Sequence, residues 1–62
     1  MNVKLKRIEK GIKQQDFAKT LGISKATLVK IEKGEYDIRL SLMKKIAVAL
    51  DSTVEELFFS EE

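Results

Sequence analysis

Apolar residues recur along this chain at intervals of three and four, in short runs punctuated by glycine or polar clusters, which is the period of amphipathic helices rather than strands. The clearest stretch runs from Gln14 to Lys33. In its first half Phe17, Ala18 and Leu21 fall on one stripe, and Gly22 ends the helix, with Ile23 folding back as the accompanying apolar contact. Ser24 then offers its hydroxyl as the N-cap of a second helix, whose inward face is Leu28 and Ile31 and whose outward face is Lys25, Ala26, Val29, Lys30 and Lys33. Ala18 is small enough to let the two helices cross closely.

The same pattern predicts three more helices. A first helix over about residues 3–10, capped by Asn2, places Val3, Arg7 and Ile8 on one face and Leu5 off it; Gly11 ends it and Ile12 returns to the core. A fourth over about residues 40–50 turns Leu40, Met43, Ile46, Ala47 and Leu50 inward and Lys44 and Lys45 outward. Thr53, Val54, Glu55 and Glu56 read as a capping box opening a short fifth helix, with Val54, Leu57 and Phe58 inward and Phe59 directed elsewhere. The expectation is an all-α, compact five-helix bundle forming one domain over residues 1–62, organised around a helix-turn-helix core at 14–33.

At 62 residues the chain stands near the lower size for unaided folding, where a domain buries only about 60% of the surface its unfolded chain exposes. It contains neither Cys nor His, which removes disulfides, the usual zinc sites and thiol or imidazole catalysis. No cluster of acid, base and nucleophile is legible, so an enzyme is not expected, and no cofactor or metal is implied. No apolar run approaches the roughly 20 residues of a membrane span, and the N-terminus lacks the apolar core of a signal peptide; a cytoplasmic protein with no membrane partner is expected.

The net charge of +2 is unevenly spread. Residues 1–33 hold nine Lys/Arg against three acids, giving +6, whereas residues 34–62 hold three against seven, giving −4. A basic half that contains the outward face of the third helix suits a polyanion. A merely solvated Lys-rich surface would not produce that segregation.

Gln14, Phe17, Ala18, Leu21, Gly22, Ile23, Ser24, Thr27, Leu28, Ile31, Glu32 and Gly34, taken together and in this order, resemble the Cro/C1-type (XRE) family of bacterial and phage DNA-binding regulators. The likeness runs from Val3 to Phe58 and implies a lambda-repressor-like DNA-binding domain. It implies that the third helix lies in the major groove of double-stranded DNA with Lys25, Ala26, Val29 and Lys30 facing bases. Lys13, Gln14, Thr27, Lys33 and Arg39 would hold phosphates, Gln14 at the N-terminus of the second helix. Relatives also often pair an Arg and a Glu at the positions of Arg7 and Glu32, and here Arg7 shares the inward stripe while Glu32 follows the inward Ile31, so a structural ion pair is expected.

The chain departs from the family pattern in three places. Lys13 stands where a capping residue is usual, Asp51 where Gly is usual, and the loop Glu35, Tyr36, Asp37, Ile38, Arg39 brings two acids near the expected phosphate track. The function expected is a sequence-specific transcriptional regulator, a repressor on a pseudo-palindromic operator, found with the nucleoid when bound. Phe59, off the inward stripe in the acidic half, is the expected contact of a homodimer. No small-molecule ligand is implied. The alternative reading is an antitoxin-like or adaptor module that kept the fold for protein partners, favoured by the acidic loop and by apolar Ala26 and Val29 on the outward face.

Overall fold

The computed structural model describes residues 2–59, and the regular structure among them is entirely helical. It comprises α1 (Val3–Glu9), α2 (Gln14–Leu21), α3 (Lys25–Glu32), α4 (Leu40–Ala49) and a C-terminal π-helical turn, Glu55–Phe59. Every one of these elements contributes to a single core: Val3 from α1, Phe17, Ala18 and Leu21 from α2, Leu28 and Ile31 from α3, Ile46 and Ala47 from α4, then Leu50 and Leu57. α2 packs directly against both α3 and α4. Leu57 is 0% exposed, and burial of one such side chain contributes about 1.5–3 kcal/mol toward docking the five-residue turn.

All four α-helices end in the same hydrogen-bonded motif. After α2, Gly22 at φ 74° donates its N–H to the Lys19 carbonyl and Ile23 donates to the Ala18 carbonyl, so the chain reverses within two residues and the freed helix-end carbonyls are satisfied. No atom lies within 4 Å of where a Cβ on Gly22 would stand, so the demand for glycine comes from backbone conformation and not from space. Gly11 and Gly34 repeat this role after α1 and α3.

After α4 the left-handed position is Asp51, at φ 54°, with Asp51 N–H donating to the Val48 carbonyl and Ser52 N–H to the Ala47 carbonyl. A left-handed non-glycine residue carries a strain of about 1–2 kcal/mol, and a carboxylate at a helix C-terminus faces the unfavourable end of the dipole. Asp51→Gly is therefore expected to stabilise the domain by about 0.5–1 kcal/mol after the entropy of the extra glycine is discounted, raising the melting temperature by roughly 2–8 °C. Calorimetry checks this; an unchanged or lower melting temperature would mean that Asp51 has a compensating role.

Several expectations need correction. α1 ends at Glu9, and Ile8 is 55% exposed rather than inward, because at about 100° per residue it lies roughly 140° from Val3 while Arg7 lies only about 40° away. Leu40 is likewise exposed at the first position of α4, and Leu42, one turn before Ile46, packs against the core in its place. Asn2 makes no side-chain cap to α1. Its backbone N–H donates to the Leu57 carbonyl at 2.9 Å and its side-chain amide to the Glu56 carbonyl at 3.4 Å, tying the start of α1 to the C-terminal turn. The fifth segment is π-helical rather than α-helical over 55–59, although the capping box before it is complete: Thr53 N–H donates to Glu56 Oε1 and Glu56 N–H to Thr53 Oγ1, both at 3.1 Å.

Candidate nucleic-acid interface

The outward face of α3 is built by the caps at its two ends. Ser24 Oγ accepts from the Thr27 N–H at 3.1 Å, which starts the helix immediately before Lys25, and the Gly34 turn stops it just after Lys33. With Leu28 and Ile31 directed into the core, Ala26, Lys30 and Lys33 project from the opposite side and are exposed. Lys25 is exposed because no preceding helical turn covers it. Val29 lies on the flank and is half-buried, so only part of its side chain is available to a partner. Thr27 is half-buried too, and its hydroxyl accepts from Ser24 Oγ at 2.9 Å while its own proton stays available to an acceptor.

Besides this face, two helix N-termini are flanked by cations. Lys13 and Arg39 occupy the N-cap positions of α2 and α4, both in extended backbone conformation, both exposed, and neither helix receives a side-chain cap. The first-turn amides of these helices thus lie beside a positive side chain, a combination that favours phosphate oxygens. Ile38 packs against the core and anchors the preceding loop, whose Glu35 and Asp37 are exposed and oppose an anion.

Beneath the interface lies a charged network. Arg7 Nε donates to Glu32 Oε2 at 2.7 Å and Arg7 Nη2 to Glu32 Oε1 at 3.4 Å, a forked arrangement with side chains only 9% and 3% exposed. Arg7 Nη1 donates to the Ile12 carbonyl at 2.8 Å, and Gln14 Nε2 donates to Glu32 Oε1 at 3.0 Å. The network joins α1, the α1–α2 turn, the first residue of α2 and the last residue of α3. Among the described residues no buried side-chain nitrogen or oxygen lacks a partner.

The Ile12 and Gln14 arms are absent from the sequence reading, which gave Gln14 to phosphate alone. Its side-chain amide is held by Glu32, leaving one N–H of that amide and the backbone N–H for any other partner. A polar residue opening a helix next to a buried Arg was the only signal, and it does not name the acceptor. Phe59 is 64% exposed, as are Leu5 at 62% and Ile8 at 55%, so α1 does not cover the aromatic ring. No helix among the described residues is long and apolar enough to cross a membrane, and no cluster of metal-ligating side chains occurs among them.

Comparison with known proteins places these features. The helix-turn-helix family HTH_3 matches residues 3–57 of the chain. An HTH-type transcriptional regulator of Methanocaldococcus jannaschii is 45% identical over 49 residues, covering 79% of this chain and 74% of the relative. Another, YgzD of Bacillus subtilis, is 37% identical over 60 residues, covering 97% of this chain and 91% of the relative. The fold is similar to that of a hypothetical transcription factor from Neisseria, with a TM-score of 0.79 at 29% identity; the match covers 89% of this chain and 63% of that one. Relatives thus occur in archaea as well as in bacteria.

Proposed function

This chain belongs to the Cro/C1-type helix-turn-helix family of DNA-binding transcriptional regulators, which are not enzymes, and from that premise we propose that it acts as a cytoplasmic repressor reading a pseudo-palindromic operator through α3. The observation that carries the reading is the exposed, cap-defined face of α3 in a chain that also has two cation-flanked helix N-termini. Lys25 and Lys30 donate to guanine O6 and N7, and Ala26 with the exposed part of Val29 meets thymine methyl groups. Lys13, Lys33 and Arg39 hold phosphates, joined by Thr27 Oγ1 and by the N–H of Gln14 that Glu32 does not engage.

The body measures 26 Å in its longest dimension, less than the roughly 34 Å of one DNA turn, so reading two half-sites on one face of the duplex takes two copies. We place the homodimer contact at Phe59. In this reading residues 1–62 act as one domain, and the buried Arg7–Glu32 pair keeps α3 at a fixed angle to α1 and α2.

A mobility-shift titration on genomic fragments at low salt tests the reading. A retarded complex that is competed more strongly by some fragments than by others is expected. Absence of any complex at micromolar protein would favour the protein-interaction alternative instead.

A further inference from the structure

Between the C-terminal end of α2 and the outer side of α4 lies an open groove of about 450 Å³ that the DNA reading does not use. Its floor is apolar, formed by Leu21, Val48 and Ala49, and Val48 is 81% exposed, an unfavourable state for a β-branched aliphatic residue facing water. Its rim carries Lys44 and Lys45, and Lys45 Nζ reaches the Leu21 carbonyl at 3.5 Å, which holds that ammonium over the groove's edge. These are two of the three basic residues in residues 34–62, a half that otherwise carries seven acids. Four of the seven, Glu55, Glu56, Glu61 and Glu62, flank Phe59 in the sequence.

One chain therefore presents an apolar groove with a cationic rim and, separately, an exposed aromatic ring in an anionic setting. Both remain uncovered within a single copy. We propose that they are the two halves of one interface: Phe59 of each copy enters the α2–α4 groove of the other, with Glu55 opposite Lys44 and Lys45, reciprocally about a two-fold axis. This rests on the homodimer reading above and names the surface that receives Phe59.

Each phenyl ring brings about 150–250 Å² to the contact. Two rings supply only a fraction of the roughly 1,200 Å² at which stable specific interfaces begin, so the dimer is weak in free solution and is reinforced when both copies bind one operator.

Charge exchange tests the proposal by sedimentation over micromolar to millimolar concentration, where a weak dimer is populated. One variant carries Lys44→Glu with Lys45→Glu, the other Glu55→Lys; Glu56 is left intact because it closes the capping box. In either variant alone like charges meet at both contacts, and self-association is expected to weaken about tenfold or more, whereas mixing the two variants restores unlike charges at both contacts and recovers the dimer. Val48→Ser, at a position too exposed to disturb the core, is expected to weaken the dimer while leaving the monomer's melting unchanged.

A wild-type dimer that neither charge reversal nor Val48→Ser affects would overturn the groove assignment and leave the homodimer reading standing. A wild type that stays monomeric both free and on DNA would remove that reading as well.

Discussion

Glu32→Ala is expected to destabilise the domain by about 3–5 kcal/mol, and Arg7→Ala by a similar amount, because each strands a desolvated charge whose partner has gone. The Arg7 guanidinium would keep only the Ile12 carbonyl, and the Glu32 carboxylate only the Gln14 amide. A 62-residue domain has about 3–9 kcal/mol of total stability at typical values per residue, so either variant leaves it marginal or largely unfolded at room temperature.

The paired replacement Arg7→Met with Glu32→Leu is expected to recover most of the loss, since removing both charges leaves neither one unpaired. Urea unfolding of the four proteins with a common slope decides the matter. Losses below about 1 kcal/mol in both Ala variants would mean that the pair behaves as two surface charges, despite side chains 9% and 3% exposed.

The other large effect is on DNA affinity, which is expected to fall about a thousandfold between 50 and 200 mM salt. In the proposed reading three cationic phosphate contacts per copy, Lys13, Lys33 and Arg39, would make six for a bound dimer, each releasing counterions with a slope of about 0.9 in log affinity against log salt. Gln14 and Thr27 are neutral and add no salt dependence. Lys33→Ala should weaken binding to specific and random DNA alike and flatten the slope by about one unit per copy. A slope unchanged by Lys33→Ala would place that lysine away from the backbone. In the same reading the exposed Glu35 and Asp37 would oppose those phosphates, and replacing them with neutral residues should tighten binding.

How much of this was legible in the sequence depends on how local each cause is. Helix ends were readable because Gly11, Gly22 and Gly34 stand where the backbone must turn left-handed, and Asp51, where Gly is usual, is of a residue type that tolerates that turn better than most. The Ser24 and Thr53 caps were readable because their partners lie three residues away. The core stripes of α2 and α3 were readable from spacing alone.

Errors arose where tertiary contacts outrank local preference. Asn2 forgoes its cap because the C-terminal turn, 54 residues later in the chain, offers it backbone carbonyls. Ile8 and Leu40 are apolar residues at the margins of a stripe, where hydrophobicity says nothing about direction. The Gln14–Glu32 bond spans 18 residues, and spacing along the chain holds no trace of it.

Base readout by α3 is the central claim, and selection of bound duplexes from a random pool, run in parallel with wild type and Val29→Ser, tests it most directly. The wild type should select half-sites about one turn apart that combine T-containing steps with one or two G positions. Val29→Ser should lose preference at a single T position, at a cost of about 1–3 kcal/mol for that discrimination, with the salt slope unchanged. An identical selected motif for both proteins at equal affinity would contradict the claim and move the source of specificity to DNA shape or to another element of the fold.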